Sequence, residues 1–143
     1  FWGIEPKDLP SMDDYPFFQL SWVVDRPDNR IFSLFDASFP QRKDVVYYFG
    51  AKLTAGQMVA TYDNLERTNF ATLYSATRPG DDFAEAFASY VHTVRMKKPF
   101  AIRIYSGGKL VKSYGSCWDE PRCADKRKLI ERFLDAGGRG SSR

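Results

Sequence analysis

The stretch RPGDDFAEAFASYVHTV, residues 78–94, holds the side chains best suited to chemistry. Asp81, Asp82 and Glu85 fall within about one helical turn of each other, and His92 is the only histidine in the chain. On a wheel at about 100° per residue, Asp81, Glu85, Ala88 and His92 share one narrow stripe. Phe83, Phe87, Tyr90, Val91 and Val94 fall on the other side. The segment therefore reads as an amphipathic helix with an acidic stripe. One reading is a solvated face, since acids in a first turn suit the helix dipole. Ala84, Ala86 and Ala88 support another: small residues let a second element approach, where a solvated face carries long polar chains. Other chemistries fit poorly. Asp81 and Asp82 point about 100° apart and make no glycosidase-type acid pair. His92 has no G-x-S-x-G nucleophile in the chain to act on. SGGK at 106–109 lacks P-loop spacing and reads as a turn.

The string YSATRPGDDFAEAF, residues 74–87, resembles the segment after the HExxH helix in gluzincin zinc metallopeptidases, most closely catalytic domains of the lethal-factor type. There a tyrosine precedes an acid by seven positions, and the acid opens a helix reading acid-x-F-A-E-A-F. Here Tyr74 stands seven before Asp81, and Asp81-Asp82-Phe83-Ala84-Glu85-Ala86-Phe87 follows. The resemblance implies a zincin-like fold, zinc as cofactor and peptide hydrolysis as activity. It makes Asp81 the third zinc ligand and Glu85 the carboxylate that supports the ligands from behind. It makes Tyr74 the catalytic phenol that stabilises the oxyanion. Asp82 stands as an alternative ligand. The residue types suit these roles. Catalytic zinc takes anionic or imidazole ligands and keeps one position for water. A supporting carboxylate orients ligands, and a phenol aimed at a tetrahedral oxygen stabilises charge where it develops.

The chain departs from the family in two ways. The family has glutamate where this chain has Asp81, whose carboxylate sits about 1.5 Å further back. No H-E-x-x-H occurs. His92, eleven residues or about 16 Å along the helix from Asp81, cannot share its metal and reads as a structural or partner-contacting residue. Through the resemblance, a chain beginning at Phe1 is the C-terminal part of such an enzyme. Its partners are then an upstream HExxH-containing segment and a peptide or protein substrate, and alone it should hydrolyse nothing. The alternative is a relative that has lost catalysis and acts through protein–protein contacts without metal.

The elements that must position these residues read as α+β, helices packed with a small β-hairpin or sheet. FFQLSWVV (17–24) is a buried strand or a short helix, which periodicity cannot separate. DRPDNR (25–30) is a turn. Residues 31–44 are ambiguous, and VVYYFGAKL (45–53) is aromatic and β-branched. Thr54 and Gln57 form a capping-box pattern that starts a helix over about 55–67. The next helix spans 81–95. A hairpin follows, with strands 100–105 and 109–114 about a turn at Gly107-Gly108. A last helix covers about 122–136, with Leu129, Ile130, Phe133 and Leu134 as its apolar face and Gly137 as its C′ residue. A turn-rich lead-in (1–16) and a disordered tail (137–143) bracket one domain or lobe over 1–136. Trp2, Trp22, Tyr47 and Tyr48 could line a groove; core packing is their default.

With 43% apolar and 16% aromatic residues among 143, a sizeable core is within reach. The net charge of +3 is spread through the chain, against a nucleic-acid partner. No apolar run is long enough to span a membrane. Cys117 and Cys123, six residues apart, can close a small disulfide loop, which suits an exported protein. Two reduced thiols in a reducing compartment are the alternative.

Overall fold

The structure, a computed structural model, describes residues 14–48 and 50–139, with side chains to Gly137. Residues 1–13 of the expected lead-in and 140–143 of the expected tail lie outside them. Among the described residues the chain is mixed α+β, with four α-helices and two antiparallel two-stranded sheets.

The 17–24 run splits into both of its readings. Pro16–Gln19 is a short helix, α1, and Trp22–Asp25 is a strand, β1. β1 pairs with β2, Arg30–Ser33, in register Trp22 to Ser33 and Asp25 to Arg30. The DRPDNR turn joins them, with Asn29 at φ 49°, a left-handed conformation asparagine tolerates. The 45–53 run forms no strand among its described residues. At Thr54 the capping box closes: the Gln57 side-chain oxygen accepts the Thr54 N–H at 2.8 Å. One 3₁₀ turn, Ala55–Gln57, then leads into α2, Met58–Leu65.

Helix α3 spans Pro79–Tyr90. It starts two residues earlier than the acids suggested. Proline's fixed φ suits a first helical position, and Arg78, kept out of the helical region by that proline, is extended. Past Tyr90 the backbone widens into a π turn, Val91–Arg95, and Lys97 at φ 53° ends it. The second hairpin is β3, Ile102–Ser106, against β4, Lys109–Tyr114. Gly107 and Gly108 both have positive φ, as a two-residue hairpin turn demands. The last helix, α4, runs Ala124–Arg139. It passes straight through Gly137, the expected stop, so 137–139 are helical rather than tail.

Two apolar clusters form the interior, and adjacent phenylalanines of α1 divide between them. Phe18 joins Trp22, Phe39, Leu65 and Phe70; Phe17 joins Ala86, Tyr90, Trp118 and Ile130. Cys117 and Cys123 sit in the second cluster as a disulfide, S–S 2.07 Å and Cα–Cα 5.7 Å. At the junction lies an ion pair with no solvent exposure on either side chain, Lys126 Nζ to Asp82 Oδ1 at 2.5 Å. Trp22 of the first cluster donates its indole N–H to Asp82 Oδ2 at 3.0 Å. The Lys126 ammonium lies 5.1 Å from the Phe17 ring centre and 4.8 Å from that of Phe70. One charged pair therefore pins α3, α4, β1 and α1 together.

Candidate functional site

Tyr74, Asp81 and Glu85 are brought together by one tight turn and the helix it feeds. Thr72 and Ser75 lock the turn reciprocally. The Thr72 N–H donates to Ser75 Oγ and the Ser75 N–H to Thr72 Oγ1, both at 3.1 Å. A 3₁₀ turn, Tyr74–Ala76, follows. From behind, buried Arg42 donates to the Ala76 carbonyl at 3.0 Å and pairs with Asp36 at 2.6 Å. A backbone clamped on both sides gives Tyr74 little freedom to drift.

The acidic stripe divides along its length. Its first half is covered by the turn. Thr72 donates its hydroxyl to Glu85 Oε2 at 2.8 Å. The Thr77 hydroxyl and Arg78 Nε reach Asp81 Oδ2, each at 2.7 Å. Asp81 Oδ1 takes no hydrogen bond among the described residues. The second half, Ala88 and His92, is exposed, with His92 Nε2 3.3 Å from the Pro99 carbonyl. Of the three alanines, Ala84 and Ala88 are exposed and Ala86 is buried in the second apolar cluster.

Asp82, read as an alternative ligand, is placed elsewhere. It points into the junction of the two cores, and both of its oxygens are bound. Its neighbours serve packing, and no ligand reaches it without unfolding that junction. Burial pushes its carboxyl up and the Lys126 ammonium down, each toward its neutral form, while their attraction opposes both.

Tyr74 stands among other tyrosines. Its hydroxyl lies 3.4 Å from that of Tyr48, and its ring meets Tyr47 edge to face, centroids 4.9 Å apart. The Tyr48 contact, burial and the Asp81 charge raise its pKa, so it stays a proton donor at neutral pH. Tyr47, raised to about 12 chiefly by burial, does the same. The default of core packing fails for Tyr47 and Tyr48, 51% and 74% exposed, and holds for Trp22. Tyr74 and Glu85 line one cleft of about 210 Å³ between the turn and the second hairpin. Arg122 lines it too, donating to the Thr68 and Phe70 carbonyls at 3.0 Å each.

The residues that build this frame, Arg42, Arg122 and Lys126, lie in basic stretches of the sequence, which do not tell a buried cation from a solvated one. The T-x-x-S spacing of Thr72 and Ser75 was a signal: it mirrors a helix cap. Among the described residues no three His, Cys, Asp or Glu side chains converge to hold a metal ion. Comparison with known proteins finds no family model, no curated protein and no solved structure that matches this chain.

Proposed function

We propose that this chain is the part of a zinc-dependent peptidase that supplies one metal ligand and the oxyanion-stabilising phenol. The reading is supported by Tyr74, Asp81 and Glu85 being gathered on one clamped turn and helix, with Tyr74 and Glu85 on a common cleft. Asp81 fits zinc by donor type, and its Oδ1 is the oxygen that takes no hydrogen bond among the described residues. The two histidines and the general-base glutamate would come from an upstream segment, since this sequence has one histidine. Zinc, when bound, supplies Lewis acidity and an acidified water. Thr77 and Arg78 hold the Asp81 carboxylate in place. Thr72 holds Glu85 behind it. Tyr74 donates its O–H to the carbonyl oxygen as negative charge builds there, a contribution made only in the transition state.

One observation favours a second reading, a metal-free binding domain. Arg78 and Thr77 already engage Asp81 as an acid at a helix N-terminus commonly is. Zinc uptake and peptide hydrolysis separate the two, measured on the polypeptide that joins this chain to an HExxH segment. Asp81→Ala should lose zinc and activity together. Tyr74→Phe should keep zinc and lower kcat about 10²-fold. Full zinc content and activity in Asp81→Ala would overturn the peptidase reading.

A further inference from the structure

The cleft beside Tyr74 is walled by aromatic rings and acids. Tyr47, Tyr62, Tyr74 and Tyr114 line it, with the carboxylates of Glu66 and Glu85. The rings are held in two pairs. Tyr62 and Tyr114 stack at 29° with centroids 5.2 Å apart, and Tyr47 meets Tyr74 at 86°. An edge-to-face contact covers a face of only one partner, so the Tyr47–Tyr74 contact by itself leaves ring face uncovered. Ring faces are electron-rich and attract a cation within about 6 Å.

Charge points the same way. Thr72 occupies Glu85 Oε2, and Oε1 takes no hydrogen bond among the described residues. Arg122 is the basic residue on the wall, but its Nε is paired with Glu120 at 2.5 Å and its Nη1 with two carbonyls. With that charge matched, Glu66 and Glu85 leave the wall negative. The space of about 210 Å³ falls below the roughly 300 Å³ of a drug-sized ligand site. It suits one large side chain.

We propose that this cleft takes the basic side chain, arginine or lysine, of a peptide. The aliphatic stem packs on Leu65, Phe100 and Ile102, and the cation lies against Tyr47 and Tyr74 within reach of Glu85, since Tyr114 already carries the Lys112 ammonium 5.3 Å from its ring centre and Tyr62 stacked on it. Calling that peptide a substrate rests on the peptidase reading; cation binding does not. If both hold, a basic residue seated beside Tyr74 sets the cleavage specificity.

The test is calorimetric titration of the chain, with a chelator present to remove zinc. The probes are Nα-acetyl-arginine amide and its neutral counterpart Nα-acetyl-norleucine amide. The arginine amide should bind at least about tenfold more tightly, with affinity falling as salt rises. Tyr47→Leu and Glu66→Gln should each weaken it about fivefold, and Tyr47→Phe, which keeps the ring, by less than about twofold. Glu66 is exposed, so its variant carries the test if Tyr47→Leu fails to fold. Equal affinity for the two amides, binding of neither, or unchanged affinity in a folded Tyr47→Leu overturns the proposal. Arginine binding by the chain, with no zinc-dependent hydrolysis by the polypeptide that joins it to an HExxH segment, supports the cleft and ends the peptidase reading. Zinc-dependent hydrolysis indifferent to basic residues does the reverse.

Discussion

Asp81 and Asp82 are neighbours on α3 and belong to two different regions of the molecule. Asp82 lies where the two cores meet, without water, its oxygens bound by the Lys126 ammonium and the Trp22 indole. Asp81, about 100° round the helix, is 18% exposed and held by a hydroxyl and a largely exposed arginine. The difference follows from solvation. An interior charge costs several kcal/mol unless its partners are complete, so the surroundings of Asp82 are fully specified. At the Asp81 edge water can replace any partner, and one oxygen takes no hydrogen bond among the described residues. A carboxylate of the first kind holds a fold together; one of the second kind has capacity for a ligand.

The hardest blow to this contrast is Lys126→Met. It leaves the Asp82 carboxylate buried without its cation, held only by the neutral Trp22 and Ser21 side chains, and urea unfolding near pH 7 should show a loss of about 3–5 kcal/mol. The lone carboxyl, raised by burial, takes up a proton in the folded state before the unfolded one does. The deficit should therefore shrink as pH falls toward about 5. Adding Asp82→Leu should restore much of the loss, because a well-packed apolar pair can replace a buried ion pair. No loss in the single variant would remove Asp82 from its structural role.

Reducing the Cys117–Cys123 bridge tests the same interior from the second cluster. Its short loop should contribute about 2 kcal/mol, read as a lower denaturation midpoint with unchanged slope. Asp81→Ala tests the other region. It should cost less than about 1 kcal/mol, because a largely exposed arginine and a helix-end charge are its main partners. It should nonetheless abolish any zinc-dependent rise in unfolding temperature. A loss as large as that of Lys126→Met would erase the distinction between the two acids.

The smallest effect belongs to the surface pairs. Lys112 and Tyr114 hold the Asp63 carboxyl below the ordinary carboxylate range, as Arg127 and Tyr90 hold Glu131. A lowered folded pKa means the contribution is complete above that range and lost as pH falls through the lowered value. Asp63→Asn and Glu131→Gln should each lower stability slightly at neutral pH, where the contribution is complete, and flatten the acid limb below about pH 4, where it is already lost.

Local patterns were legible where the chemistry is local. The capping box at Thr54 and Gln57, the Gly107-Gly108 turn and the proline start of α3 each depend on residues a few positions apart. Gly137 misled because a C′ glycine ends a helix only if the chain turns away there, and α4 continues. The 17–24 run could not be divided from sequence: the turn at Leu20–Ser21 is fixed from afar, by Asn69 accepting from the Ser21 hydroxyl and donating to the Leu20 carbonyl. Tyr47 and Tyr48 were misjudged because an aromatic run looks the same whether it fills a core or rims a cleft.

The sequence by itself put Asp81 and Glu85 on one stripe and Tyr74 a turn before them, because helical periodicity and seven residues of spacing are properties of the backbone. It also set the two cysteines at a distance a turn can close. Only the tertiary structure decided which of two adjacent aspartates is structural. That choice depends on Lys126, 44 residues away, and on whether water reaches the carboxylate, and solvation is a property of the assembled interior.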